Sequence, residues 1–522
     1  MAFVTPPRQE PAVQEKRRWP PHRVHQLVPA GSAERLEAFG RVDGLQLQIP
    51  KGFQGEGRYP AAPRPTPASR YAPRRVSVFA LAGRNPTKLR PGATYVGGVV
   101  GALGIASLLA INLSRNPPSL GLAVSGGGAS IVVLALALAR YEWAVGLGLV
   151  LLAVVKFEPA PTDLVFLIVI AISLATGRFR IDRVPALIAV LLGAYLTLTL
   201  LGFSAVVDSS RAFRFSFTTV YLVLFALWLA SWTTTRKRAA IVARTYVFAT
   251  VFSAVLGVLA VVAPIPGKTT LLEYGHTRAV GLFKDPNVFG AFLVPATLIV
   301  IDEALSPKLL RGRRVTKFAM FLILTLGVVF SFSRAAWVSL AVGTATMILI
   351  HAMRRGGGRR AFALLAIVAV AGAAVAVAVT ASGSVTFLQQ RAQVQAYDSE
   401  RFGAQQAGLK LVAQYPFGVG PGQFELYTGI SAHSIYIRAL AELGILGVVV
   451  ILALMLGTLV LALRNAVLAR ETYGIGSAPL LGAWIGLIVS GFVVDTLHWR
   501  HLWLVAALIW AGSARLPAAR RT

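Results

Sequence analysis

Between Thr94 and Ala514 one apolar run follows another almost without interruption. A helix needs about 20 largely apolar residues to cross the hydrocarbon core of a bilayer. Runs near 94–113, 119–139, 143–156, 162–176, 184–205, 216–233, 240–263, 286–305, 316–333, 335–352, 361–381, 434–463, 478–496 and 500–514 meet or approach that length. The third and fourth are short enough to be tilted or half-buried, which sets the count at 12–14 transmembrane helices. The fold class is therefore all-α, a polytopic integral membrane helical bundle. No period of 20 to 50 residues recurs, which argues against a solenoid.

Composition agrees with a chain whose main solvent is lipid. Only 14% of the residues are charged, against about 25% in ordinary globular domains, and the mean hydropathy is +0.67. The net charge of +30 does not mark a nucleic-acid binder, because the basic residues are scattered between apolar runs instead of clustering on a water-facing fold. With no Cys, disulfides and thiolate chemistry are excluded, and the seven dispersed His offer no metal site.

Four segments follow from these patterns. Residues 1–93 form a basic tail rich in Pro, Arg and Gly that is expected to be disordered and cytoplasmic. Its Arg70, Arg74, Arg75, Arg84, Lys88 and Arg90 suit either the anionic headgroups of the membrane lipids, at roughly 1 kcal/mol per charge near the surface, or retention of the tail as a topology signal. The first long apolar run begins too far from Met1 for a secretory signal peptide. Residues 94–381 hold the first eleven spans, 382–433 a long outer loop, and 434–522 the last spans with a short basic cytoplasmic tail.

Alternating the spans from a cytoplasmic N-terminus sorts the connections into two sets. One holds 21 Lys and Arg against five Asp and Glu, and the other 13 against ten. That asymmetry is the positive-inside rule, and it assigns both termini to the cytoplasmic side of the membrane. The two long connections, Pro264 to Asp285 and Ser382 to Ala432, then face outward, with a compact outer turn at Ser333–Arg334. Chemistry on that face meets lipid-linked or exported material, and nucleotide-dependent chemistry would be on the wrong side.

Candidate residues concentrate on this outer face. Asp285 before Pro286 is a helix start that sets Arg278, Lys284 and Asn287 above an incoming span. Arg334, between two apolar helices with almost no loop, is costly enough to call for a partner or an anionic ligand. His433 stands where the long loop enters a span; Tyr436 follows, and Arg438 and Glu442, four apart, can pair along one helix face. Gly444 and Gly447 leave room for close helix packing. The loop before it carries Arg401 in a plausible amphipathic helix, then a Gly- and Pro-rich stretch able to approach a ligand closely. Asp495, His498 and Arg500 form a last outer cluster, suited to a site or to interfacial anchoring.

Taken together, these pieces resemble the O-antigen ligase and polymerase superfamily of bacterial membrane glycosyltransferases. His433, Ser434, Gly444 and Gly447 match its His-containing pattern. Arg278 to Gly290 looks like its Arg then Asp-Pro-Asn segment, Phe332 to Trp337 like its Ser-Arg helix start, and Pro416 to Phe424 like the end of its long outer loop. The resemblance implies a GT-C-like, inverting, metal-independent glycosyltransferase with no cofactor. Its donor would be a polyprenyl diphosphate-linked glycan, and its acceptor a hydroxyl of a glycan, glycolipid or protein. Arg278 and Arg334 would hold the diphosphate, His433 would be the general base, and Lys284, Asn287, Arg401, Tyr436, Arg438, Glu442, Asp495, His498 and Arg500 would support them. The absence of any Asp-x-Asp agrees with a cationic diphosphate site. The motifs do not separate a ligase from a polymerase, and a lipid-linked oligosaccharide flippase is the alternative from another class.

Overall fold

The computed structural model describes residues 120–156, 160–273, 277–393 and 395–514. The basic tail, the span expected at 94–113 and the last residues of the chain lie outside them. Sixteen helices and one small hairpin follow in order: α1 (Leu120–Ala139), α2 (Tyr141–Leu151), α3 (Pro161–Ala175), α4 (Ala186–Leu201), α5 (Ser209–Trp232), α6 (Arg236–Val262), β1 (Leu272–Glu273), β2 (Arg278–Ala279), α7 (Pro286–Leu305), α8 (Arg314–Phe330), α9 (Arg334–Met353), α10 (Gly358–Ala381), α11 (Val385–Ala392), α12 (Ala396–Gln414), α13 (Phe424–Thr428), α14 (Ile435–Val467), α15 (Ser477–Ser490) and α16 (Arg500–Ser513).

A helix stands at each of the expected spans from 119–139 onward. Among the described residues seven helices are long and apolar enough to cross a membrane: α4 with its extension to Ala205, α5, α6, α7, α9, α10 and α14. The second and third helices are short, with 11 and 15 residues. The protein is a polytopic helical membrane bundle, with α7 at its centre: all but three of its residues are buried.

Polar residues placed just before the apolar runs start the helices. The Asp285 side chain accepts from Asn287 N at the head of α7, with Pro286 at the first helical position. Ser333 accepts from Ala336 N at α9, and Ser434 from Ile437 N at α14. Each such cap satisfies a backbone N–H that would otherwise lack a partner. Small residues set the packing. A methyl group on Gly482 of α15 would stand 2.4 Å from the Gly343 carbonyl oxygen of α9, so those two backbones touch, and Ser339 Oγ donates to Gly486 O at 2.9 Å along the same seam.

Contacts between connections stay within the two charge-sorted sets. At one end Lys237 pairs with Glu142 at 2.6 Å, Arg236 donates to Lys308 O at 2.9 Å and Arg354 donates to Ala466 O at 2.7 Å. Arg244, read as lying within a span, reaches this end through a 2.7 Å bond to Leu309 O. Lys317, fully buried, lies 3.2 Å from Glu303. The opposite end gathers the hairpin, α11, α12 and α13.

The run at 434–463 is not one straight span. Gly444 has φ 69° and ψ −166° inside α14, a conformation in which glycine avoids the Cβ clash. The break frees backbone groups, and the Gly- and Pro-rich loop satisfies them: Val419 N donates to Ala441 O at 2.9 Å, Gly420 N to Glu442 O at 3.0 Å, and Ile445 N to Pro416 O at 3.3 Å. The glycine expected to admit a neighbouring helix admits this loop instead, and the loop expected to approach a ligand approaches the bundle's own backbone. The fully buried Gln423 fixes its far end, accepting from Val207 N and Asp208 N and donating to Asp208 O.

Candidate active site

The head of α9, the tail of α15, and helices α11 and α12 from the long loop enclose a cavity of about 500 Å³. Its polar lining is Asn287, Arg334, Arg391, Asp398, Arg401, Gln405 and Ser490, and its apolar wall includes Val338, Phe402, Val489, Phe492 and Val493. Three arginines thus line one space beside apolar surface at a bundle end. Phe402, Phe492, Val338 and Val493 remain substantially exposed.

Arg278 stands behind this cavity. Its Nε donates to Ser331 O at 2.9 Å and its Nη2 to Asn287 Oδ1 at 3.1 Å, and it is 4% exposed. It therefore joins β2, the head of α7 and the turn between α8 and α9, and presents Asn287 to the cavity. Gly290 makes this approach possible: a Cβ there would lie 2.4 Å from Ser331 Oγ. Lys284 is exposed in the preceding loop and does not line the cavity.

Arg334 opens α9 and is half-buried. It donates through Nη1 to Gln393 O at 3.1 Å and through Nη2 to Asp398. Asp398 also accepts from Gln395 N at 2.8 Å, capping α12. Burial pushes the Asp398 carboxyl up, but the Arg334 bond, the Gln395 N–H and the charges of Arg334 and Arg401 outweigh it and hold the group below the usual carboxylate range.

His433 lies beside the cavity, tied to it through Gln405. The Gln405 Nε2 donates to His433 O at 3.1 Å and to Phe492 O at 3.2 Å. His433 is half-buried, and burial first, then the positive charge of Arg401, lower its pKa below that of an ordinary histidine. Its φ is 43°, in the left-handed region where a non-glycine residue is strained. Phe332 repeats the arrangement at φ 48°. Each of these strained residues immediately precedes the serine that caps a helix, so the chain turns sharply into α9 and α14 at the two points where Arg334 and His433 are presented.

The other expected supports form separate clusters. Tyr436 braces the apolar wall: its hydroxyl donates to Ile488 O at 3.0 Å and its ring lies 4.5 Å from that of Phe492. Arg438, 5% exposed, pairs with three carboxylates. Nη1 meets Glu442 at 2.7 Å, Nη2 meets Glu425, and Nε meets Asp495. Glu442 also accepts from Gly422 N at 2.9 Å. The Arg438–Glu442 pair thus does more than stiffen α14, since with Glu425 and Asp495 it fastens α13 and the connection before α16 to the helix that follows His433. Removing a partner from such a buried set costs about 3–5 kcal/mol.

His498 does not reach the cavity. Its Nε2 lies 3.0 Å from Thr219 Oγ1 and its ring 4.3 Å from that of Phe215; burial pushes its pKa down to about 4, so it is neutral near pH 7. Arg500 makes a two-pronged pair with Asp163, Nε donating to Oδ1 at 2.7 Å, across 337 positions of sequence. Among the described residues no group of three or more His, Asp or Glu is placed to hold a metal ion.

The structure therefore brings Asn287, Arg334 and Arg401 to one cavity, with Arg278 behind it and His433 at its edge. It adds Arg391, Asp398 and Gln405, which sequence reasoning missed. Residues 319–452, which carry Arg334, Arg391, Asp398, Arg401, Gln405 and His433, match the family model described as O-antigen ligase. No curated protein matches the chain. The match over 319–452 falls on a bundle of membrane-spanning helices with its polar cavity at one end, so over that stretch this multi-pass membrane protein is similar to the O-antigen ligase family.

Proposed function

We propose that the protein transfers a glycan from a polyprenyl diphosphate to an acceptor hydroxyl at the outer face of the bacterial cytoplasmic membrane, for cell-envelope polysaccharide assembly. The observation that carries this reading is the convergence of Arg334, Arg391 and Arg401 on one cavity with an apolar wall, beside a histidine of lowered pKa. Guanidinium forks match phosphate oxygens and keep their charge, and they stabilise the charge that develops on a departing diphosphate. Arg278 acts one step back, holding Asn287 and the α8–α9 turn in place. The apolar wall at Val338, Val489 and Phe492 suits the first isoprene units of the lipid.

In this reading His433 takes the proton of the acceptor hydroxyl as that oxygen attacks the anomeric carbon. A single displacement inverts the configuration there. The lowered pKa keeps the imidazole neutral and able to accept the proton at the pH of the outer face. The outward orientation rests on the charge sorting of the connections, whose basic set lies at the opposite end from the cavity.

The test is donor-dependent transfer by purified protein in lipid nanodiscs, with a polyprenyl diphosphate glycan and a panel of glycan, glycolipid and protein acceptors. Wild-type protein is expected to form a product that Arg391→Ala and Arg334→Ala form at least about tenfold more slowly. Movement of the lipid-linked glycan across liposomes without transfer to any acceptor would replace this reading with a flippase.

A further inference from the structure

Among the charged groups lining the cavity, Asp398 has the opposite sign. It is 7% exposed and its carboxylate is shared between Gln395 N and Arg334 Nη2. Reaching back to the Gln395 N–H takes one oxygen, which an asparagine also supplies. The second oxygen instead occupies a guanidinium that otherwise has an anionic ligand to hold. With Asp398 ionised, the three guanidinium groups and one carboxylate lining the cavity leave a balance of two positive charges.

We propose that Asp398 is a specificity-determining residue: it matches the cavity to the doubly charged diphosphate diester of the donor and disfavours the more highly charged diphosphate monoester left by the reaction. This rests on the function proposed above. During transfer the acceptor oxygen bonds to the anomeric carbon, the bond from that carbon to the diphosphate breaks, and its electron pair remains on the departing oxygen. The acceptor proton passes to His433. The diester, with two ionised oxygens, thereby becomes a monoester with a third.

Three arginines alone would suit that third charge and retain the product. With Asp398 fixed on Arg334, the new charge meets a carboxylate already held in place. Asp398 thus weakens the binding of the product relative to the donor, and turnover depends on it.

The experiment compares binding of farnesyl diphosphate, a monoester, and its hexose diester to wild-type protein and Asp398→Asn, which keeps an oxygen for the Gln395 N–H. The substitution is expected to tighten the monoester about tenfold or more and the diester by clearly less. A rapid first turnover should then be followed by a slower steady state. Asp398→Glu, which keeps the charge, is expected to keep the wild-type preference.

A measurement on wild-type protein alone stands if the variants do not fold: monoester affinity should fall as pH removes its last proton, with the diester as the control for changes in the protein. Equal shifts for both ligands in Asp398→Asn, or tighter wild-type binding of the fully ionised monoester, overturn the proposal while leaving the proposed function standing. Binding of neither ligand by the wild type overturns both.

Discussion

Arg334, the first residue of α9, donates through Nη2 to the carboxylate of Asp398 in the first turn of α12, 64 positions further along the chain. This bond, with the one from Arg334 Nη1 to Gln393 O, holds the long loop over the cavity. A planar fork that serves two acceptors at once is not replaced by an ammonium group. Arg334→Lys is therefore expected to lower the transfer rate about tenfold although the charge is kept, and Arg334→Ala by about 10²–10³. Steady-state transfer assays on both variants, with thermal unfolding as the folding control, check this; equal activity of Arg334→Lys and wild type would contradict it.

Gln405 is a positioning residue. It holds the His433 carbonyl and the Phe492 carbonyl with one amide group, fixing the strained turn that presents the imidazole. Gln405→Ala is expected to lower kcat about tenfold with little change in donor KM, since the Gln405 amide N–H groups are engaged by the His433 and Phe492 carbonyls. A change in KM alone would assign it to donor binding.

The pH dependence follows from the environment of His433. Burial and then Arg401 lower its pKa, so the neutral, proton-accepting form is present down to a lower pH than for a free histidine, whose pKa is about 6.5. Transfer should rise with pH to a plateau, with the midpoint of the acid limb below that value. Arg401→Gln removes a positive charge that disfavours the imidazolium, so the histidine pKa rises and the midpoint moves to higher pH. A pH profile of kcat/KM measures the shift independently of any loss in overall rate; an unmoved midpoint would show that His433 does not set the acid limb.

The helices were legible because apolar length and polar caps are local properties: Asp285-Pro286 and Ser333 mark helix starts in sequence and in structure. Arg334 stood out because a charge between two apolar helices needs a reason. Arg391, Asp398 and Gln405 did not, because on short polar helices they read as a solvated face, and only folding of the long loop over α9 and α15 turns them inward. The break at Gly444 was equally hidden. The run around it is continuously apolar, and the groups that satisfy its backbone come from Pro416 to Gly420. The partner of Arg500, Asp163, lies too far away in sequence to be paired by pattern.

At Gly444 a side chain has no place. With φ at 69°, a Cβ would stand 2.3 Å from Pro416 O. Gly444→Ala is expected to destabilise the protein by more than the ~1–2 kcal/mol that left-handed backbone alone costs an alanine, because the inserted loop must also move. Gly457→Ala is the control, since its nearest neighbour, Ile188 Cδ1, is 3.6 Å away; it should leave the unfolding temperature unchanged or slightly raised. Equal stability of the two variants would show that the loop does not depend on the break.

The central claim is that the arginine-lined cavity and His433 together perform glycan transfer. It is tested most directly by single-turnover transfer from a polyprenyl diphosphate glycan in His433→Ala, with donor binding measured on the same preparation. The account predicts donor affinity within about twofold of wild type and a transfer rate lower by about 10²–10⁴, the range for loss of a general base. Undiminished transfer by folded His433→Ala would contradict it.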